Sequence, residues 1–222
     1  MADILEQLAI CIESGKVNAD ATYPPSMKGQ DGAAELTASA LQQGIPPKDI
    51  LAKALIAGMS RIGQKFSDHK AFVPDLLMSA KAMSAAMEHL KPYFESGEAQ
   101  HLGTFVIGTV QGDMHDIGKN LVGMVVEGGG WKVVDLGVDV PPEDFVAAIG
   151  KHPGCVVGLS ALLTTTMASM DMTVKRIKEA SPDTFVMVGG APLTSGFAAK
   201  IGADAYEPDP QHALNRLSAM GA

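Results

Sequence analysis

The sequence has few cysteines, few aromatic residues, no basic cluster and no long apolar run. Two cysteines, Cys11 and Cys155, exclude a disulfide framework and favour a reducing compartment. An aromatic content of 5% argues against a β-sandwich, and a net charge of -8 without a basic patch argues against a nucleic-acid-binding protein. Because the N-terminus lacks the basic start of a signal peptide and no apolar run is long enough to span a bilayer, we predict a cytoplasmic protein without membrane partners.

The first part of the chain has the apolar spacing of helices. Ile4, Leu5, Leu8 and Ile12 fall at helical intervals, and three further helical stretches follow over residues 30–43, from Pro46-Pro47 to about residue 66, and over residues 73–94. Their short connections predict an all-α four-helix bundle. We assign residues 1–90 to this helical domain and residues 91–101 to a linker.

After residue 102 the pattern changes to strand-length apolar runs that alternate with helical segments. Five such repeats predict a flavodoxin-like, Rossmann-like α/β domain over residues 102–222, with a five-stranded parallel sheet in the order 2-1-3-4-5. The predicted strands are Thr104–Thr109, Lys132–Asp135, Val156–Leu159, Phe185–Val188 and Ala203–Tyr206.

In a sheet of this order a ligand binds at the carboxyl ends of the strands, and three loops there are unusual. The loop after the first strand contains Asp113-x-His115, in which a carboxylate can orient an imidazole and leave its other nitrogen free for a metal. The loop after the third strand, residues 160–166, is rich in hydroxyls, and Gly189-Gly190 follows the fourth. A single loop histidine is more often a surface or cap residue, and hydroxyls and glycines are more often turn residues. Their coincidence at one edge of the sheet favours a binding site.

These motifs, in this order and spacing, resemble the cobalamin-binding domains of methionine synthase and of corrinoid methyl-carrier proteins. The resemblance covers residues 1 to about 220, since the helical half is similar to the cap domain of both groups. It implies that His115 is the lower axial ligand of cobalt, that Asp113 is its hydrogen-bond partner, and that Thr166 takes the place of a relay serine. It also implies further cofactor contacts, with Met114, Asp116, Ile117 and Gly118 beside the corrin ring and Ser160, Leu162, Thr164, Gly189 and Gly190 lining the slot for the nucleotide tail.

In the helical half, residues 63–74 resemble the segment that covers the upper face of cobalt. The resemblance implies that Phe66 and Val73 shield this face, although both positions are equally typical of bundle core. A methionine synthase carries additional substrate modules, whereas this chain shows no folate barrel and no zinc-thiolate motif. Its two-domain layout resembles the separate corrinoid proteins of anaerobic methylotrophs and acetogens.

The resemblance implies a subunit that is not catalytic on its own and that carries a methyl group on cobalt between two enzymes. The cofactor is expected to be cobalamin or a related corrinoid, passing through methylcobalamin, cob(I)alamin and cob(II)alamin states. The expected partners are a substrate-specific methyltransferase, an acceptor methyltransferase and a reductive activase. The donor is open among methanol, methylamines, methoxylated aromatics and betaines, and the acceptor between a thiol and tetrahydrofolate.

Three other functions are compatible with parts of the pattern. A cobalamin-dependent sensor or regulator shares both domains, but it resembles a fusion to a DNA-binding head, and no helix-turn-helix is visible here. The small subunit of an adenosylcobalamin mutase generally lacks the helical cap. A flavodoxin-like domain without cobalt leaves the three loop motifs unexplained.

Overall fold

The computed structural model describes residues 3–96 and 100–220. The chain divides into two compact units, Met1–His101 together with Gly128–Gly130, and Leu102–Glu127 together with Trp131–Ala222. Among the described residues, no helix combines the length and the apolar composition needed to cross a bilayer.

The first unit is helical. Helix α1 spans Ile4–Ser14 and α2 spans Ala33–Gln42. One continuous helical stretch then comprises α3 (Pro47–Ile50), a π-helical segment (Leu51–Ile56) and α4 (Ala57–Ser67). Helix α5 spans Val73–Glu95, and a short 3₁₀ turn, Pro25–Met27, lies between α1 and α2.

The helical unit has its own core, because α1 packs against α2, α4 and α5. The apolar positions that set the helical period are the ones that become buried, among them Leu8, Ile12, Ile50, Leu55, Met59 and Ile62. The four helical stretches predicted from the sequence are therefore confirmed. The π-helical segment was not predicted, since an i to i+5 pattern leaves no distinct spacing of apolar residues over six positions.

The predicted linker overlaps the end of α5, which continues to Glu95. Residues 97–99 of that linker lie outside the described residues. The boundaries at residues 90 and 102 therefore stay a proposal about the organisation of the chain.

The second unit is a five-stranded parallel sheet with the order β2-β1-β3-β4-β5. Its strands are β1 (Thr104–Thr109), β2 (Lys132–Asp135), β3 (Val156–Ser160), β4 (Val186–Gly189) and β5 (Ala205–Tyr206). The helices are α6 (Ile117–Gly128), α7 (Pro142–Lys151), α8 (Met167–Ala180), α9 (Ser195–Ile201) and α10 (Pro210–Met220). This alternation and this strand order confirm the predicted fold class.

The central strands are buried on both faces, which explains their continuous apolar runs. The core contains Val106, Val157 and Val186 from these strands, with Phe145 of α7 and Ile177 of α8 packed against the sheet. The register aligns Thr109 with Ser160 and Ser160 with Gly189, so β1, β3 and β4 end side by side. The three unusual loops therefore leave one edge of the sheet together.

Candidate functional site

A cavity of about 650 Å³ opens at this edge of the sheet. The predicted cofactor contacts that line it are Met114, His115, Asp116, Ile117, Gly118, Ser160, Leu162, Gly189 and Gly190. Asp113 and Thr166 are buried next to the cavity, whereas Thr164 is exposed and is not among the lining residues.

Several lining residues were missed by the sequence analysis. They come from inward-facing strand positions and from the loop after β5, and they include Phe105, Met187, Tyr206, Glu207 and Asp209. The rule that ligands bind at the carboxyl ends of strands applies equally to β5 and could have identified the last three.

The carboxylate of Asp113 is the most densely hydrogen-bonded group of the site, and its residue is fully buried. Oδ2 accepts from the hydroxyl of Thr166 at 2.7 Å and from the backbone N–H groups of Leu162 at 2.8 Å and Leu163 at 3.3 Å. Oδ1 accepts from the backbone N–H of His115 at 3.1 Å and lies 2.7 Å from Nδ1 of its ring.

These contacts determine the ionisation of Asp113. Burial alone raises the pKa of a carboxyl group, but the hydrogen bonds from Thr166, Leu162 and His115 outweigh burial and hold the pKa of Asp113 well below its usual range. Asp113 is therefore a permanent anion at neutral pH.

His115 is positioned by both its backbone and its ring. Its carbonyl oxygen accepts a hydrogen bond of 2.8 Å from the buried hydroxyl of Thr109 at the end of β1. Because an ionised carboxylate can only accept, Nδ1 of His115 carries the proton of this contact, and in the neutral ring Nε2 then keeps its lone pair. The side chain of His115 is 49% exposed, in contrast to the buried Asp113, so this lone pair is accessible to a ligand.

Large apolar side chains line the same cavity as His115 and are exposed to an unusual degree. Met114 is 68% exposed, Ile117 is 72% exposed and Leu162 is 45% exposed. Several large apolar side chains exposed at one cavity are typical of a binding site for a partner or a ligand. A cavity of this size, lined by exposed apolar side chains and by one imidazole, suits a broad macrocycle whose metal takes one ligand from the protein.

Gly190 shows why one of the paired glycines is required. Its φ is +138°, and a Cβ atom at this position would lie 1.8 Å from the carbonyl oxygen of Ala161. A side chain here would push the loop after β3 away from the sheet, together with the N–H groups that bind Asp113. Gly190 therefore supports the site through backbone packing.

Phe66 and Val73 lie in the helical unit, Phe66 near the end of α4 and Val73 at the start of α5. Both side chains are half-buried, whereas the neighbouring Phe72 is 69% exposed. Their role as a shield for cobalt stays a prediction.

Comparison with known proteins gives matches over both units of the chain. Residues 103–215 match the family described as the B12 binding domain, and residues 30–91 match a second family with the same description. The chain is 40% identical over 191 residues to trimethylamine corrinoid protein 1 of Methanosarcina mazei, covering 84% of this chain and 88% of that protein. It is 43% identical over 180 residues to monomethylamine corrinoid protein 2 of Methanosarcina acetivorans, covering 78% and 83%.

Among solved structures, the fold matches a chain of the methanol:cobalamin methyltransferase complex MtaBC from Methanosarcina barkeri. The TM-score is 0.82 at 28% identity, and the match covers 98% of this chain and 79% of that one. The resemblance and the corrinoid cofactor inferred from the sequence are confirmed by these comparisons.

Proposed function

Because the chain belongs to the corrinoid proteins, with their B12 binding domain and corrinoid cofactor, we propose that it carries a methyl group on cobalt between two methyltransferases. The observation that carries the proposal is the imidazole of His115, whose Nδ1 is held by a buried anion and whose half-exposed ring lines the cavity at this edge of the sheet. When bound, the corrinoid supplies a cobalt centre that accepts a methyl group from a donor and releases it to an acceptor.

His115 is the proposed lower ligand. A carboxylate on the far nitrogen fixes the tautomer and makes the coordinating nitrogen more basic, as it does for histidines that bind metals in general. Asp113 does this at 2.7 Å, and Thr109 fixes the backbone from the other side. The protein thus presents one preorganised nitrogen to the metal.

Asp113 and Thr166 are proposed to orient the His115 ring and to keep a fixed negative charge beside it. The proton on Nδ1 stays on the imidazole. The Thr166 hydroxyl has one hydrogen, which goes to the ionised Asp113, the stronger of its two acceptors. Since the lowered pKa of Asp113 opposes protonation of the carboxylate, Asp113 would stay an anion beside the imidazole whether or not His115 holds the metal. Its role would be to orient the ring and to supply a fixed negative charge.

The remaining contacts are proposed to bind the cofactor without taking part in proton chemistry. Met114 and Ile117 offer apolar surface to the ring. The part of the cavity lined by Ser160, Leu162, Gly189 and Gly190 is the proposed slot for the tail. Phe66 and Val73 are proposed to cover the opposite face of cobalt. The cover is expected to open when a methyltransferase docks, since methyl transfer needs access to that face.

The donor class is proposed from the relatives. Proteins at 40% and 43% identity are named for trimethylamine and monomethylamine, whereas the protein named for methanol was matched at 28%. A methylamine is therefore the favoured donor, supplied by a methylamine-specific methyltransferase. The second methyltransferase passes the methyl group to a thiol or tetrahydrofolate.

The test is transfer of an isotopic label to the reconstituted protein. The anaerobically reduced chain is mixed with a methyltransferase specific for monomethylamine, dimethylamine, trimethylamine or methanol, together with the matching ¹³C-methyl substrate. Label that reaches the corrinoid from an amine, only with its cognate enzyme present, supports the proposal. Label from methanol alone contradicts the donor class, and no label from any pair despite bound corrinoid contradicts the carrier function.

A further inference from the structure

The segment between β2 and α7 makes direct contacts with the histidine loop. Oδ1 of Asp139 accepts a hydrogen bond of 2.7 Å from the backbone N–H of Gly112. The backbone N–H of Asp139 donates one of 2.9 Å to the carbonyl oxygen of Asp113. One residue therefore holds both ends of the Gly112–Asp113 dipeptide.

Asp139 holds this position in an unfavourable backbone conformation. Its φ is +55°, a left-handed value that few residues other than glycine, asparagine and aspartate adopt. A backbone held in such a region is maintained by its surroundings and is found preferentially at functional sites. At this position the maintaining contacts are the two hydrogen bonds to the histidine loop.

The rest of the segment is anchored to the sheet. The backbone N–H of Thr109 donates to the carbonyl oxygen of Gly137, and that of Val140 donates to the carbonyl oxygen of Thr109, both at 3.0 Å. Asp135 accepts from the N–H of Gly137 at 2.8 Å and pairs with the buried ammonium of Lys119 in α6. Asp139 is thus fixed relative to β1 and to the helix that follows His115.

The direction of the Asp113 side chain depends on the backbone that Asp139 holds. Gly112 has a φ of +87°, so the chain turns sharply just before Asp113. Without an acceptor for the Gly112 N–H, this turn can rotate and carry the carboxylate away from Nδ1 of His115.

We propose that Asp139 is a positioning residue for the histidine ligand, acting through the Gly112–Asp113 backbone. The inference rests on the proposed function in so far as His115 is the ligand of cobalt. Asp139 becomes a fourth member of the group formed by Asp113, His115 and Thr166. It follows β2, a strand whose end contributes none of the predicted site residues.

Three variants separate positioning from general stability. Asp139→Asn keeps an oxygen acceptor and tolerates the left-handed conformation, whereas Asp139→Gly keeps the conformation and removes the acceptor. Asp204→Ala is the matched control, because the Asp204 carboxylate also accepts from a backbone N–H, that of Val186 at 2.7 Å, and Asp204 does not line the cavity. Removal of the Asp204 carboxylate disturbs the same α/β unit at a place that lies outside the site.

The first readout needs no cofactor. In the chain without corrinoid, the Nδ1 proton of His115, assigned by its absence from His115→Ala, gives a downfield NMR signal while it is bonded to Asp113. We expect this signal in the parent chain, Asp139→Asn and Asp204→Ala, and its broadening or loss in Asp139→Gly. An unchanged signal in Asp139→Gly, or an equal loss in Asp204→Ala, overturns the positioning role.

The second readout is the nitrogen hyperfine splitting that a coordinating histidine adds to the electron paramagnetic resonance spectrum of the Co(II) form. Asp139→Gly should lower the ratio of histidine-ligated to unligated cobalt about fivefold, as the loss of one hydrogen bond implies, and Asp139→Asn should restore it. A ratio that does not change in Asp139→Gly overturns the inference. Absence of the splitting from the parent protein overturns the proposed ligand, while the NMR signal of the cofactor-free chain still decides the role of Asp139.

Discussion

The hydroxyl of Thr166 donates a hydrogen bond of 2.7 Å to Oδ2 of Asp113, a residue 53 positions earlier in the chain. This contact joins the loop after β3 to the loop after β1 and completes the set of donors around a buried carboxylate. It is the structural basis for treating Asp113, His115 and Thr166 as one unit.

Replacing Thr166 with valine should destabilise the α/β unit and weaken histidine ligation. Valine has nearly the same shape but leaves the buried anion without the hydroxyl donor of Thr166, at a cost of about 1–3 kcal/mol. Thr166→Ser should keep the hydroxyl and the spectrum of the reconstituted protein. Because the single tryptophan, Trp131, is buried in this unit, its fluorescence during urea unfolding measures the stability.

Thr173→Val is the control for this prediction. Thr173 is also buried, and its hydroxyl donates to the carbonyl oxygen of Ser169 within α8. The control should leave the spectrum unchanged. If Thr166→Val and Thr173→Val behave alike in both stability and spectrum, Thr166 has no special relation to the ligand.

Asp113→Asn should make stability less dependent on pH in the acidic range. The pKa of Asp113 is lowered in the folded chain from its ordinary value of 3.8. The stabilisation that the ionised Asp113 carboxylate contributes is therefore complete above pH 3.8. It is lost as the pH falls below this value toward the folded-state pKa. The free energy of unfolding of the parent should exceed that of Asp113→Asn by about 2–3 kcal/mol at pH 7, and the difference should shrink by pH 3. A difference that is the same at both pH values contradicts the assigned ionisation.

Gly118→Ala should weaken corrinoid binding without weakening the fold. Gly118 is the second residue of α6, and a Cβ atom there would meet no protein atom within 4 Å. Since alanine is the better helix former by about 1 kcal/mol, stability should be kept or slightly raised. If the ring lies against this position, the added methyl group should lower corrinoid affinity about tenfold, as a loss of about 1.4 kcal/mol implies.

Gly196→Ala is the matched control for corrinoid affinity. Gly196 is the second residue of α9, where a Cβ atom would meet only Thr194 Oγ1 at 3.9 Å, and it does not line the cavity. Titration of both variants with hydroxocobalamin gives the comparison. If the corrinoid affinities of Gly118→Ala and Gly196→Ala agree within about twofold, the corrin ring does not lie against Gly118.

Much of the fold could be predicted because its signals are local. The change from helical spacing to buried strand runs near residue 102 and the helix starts at Pro142 and Pro210 are properties of short windows. The predicted strand order also indicated the edge of the sheet at which the site lies. The bounds of β5, expected over residues 203–206 and observed at Ala205–Tyr206, shifted because pairing with β4 involves only these two residues.

The role of Asp139 could not be predicted because it depends on backbone conformation and on a contact across 27 residues. An aspartate two residues after Gly137 is compatible with many turns, and nothing in the spacing shows that its carboxylate reaches Gly112. The pairing of Asp113 with Thr166 likewise came from a resemblance, since only the alignment of β1 with β3 brings the two loops together.

The measurement that tests the central claim most directly is the absorption spectrum of the protein reconstituted anaerobically with hydroxocobalamin, compared with His115→Ala and His212→Ala. His212 is a chemically matched control, because its Nδ1 also lies 2.8 Å from a carboxylate, that of Asp209, and its side chain is 53% exposed. The account predicts stoichiometric binding in all three and a spectral shift that is lost only in His115→Ala. A shift that persists in His115→Ala, or that disappears in His212→Ala instead, would contradict the assignment of His115 as the ligand of cobalt.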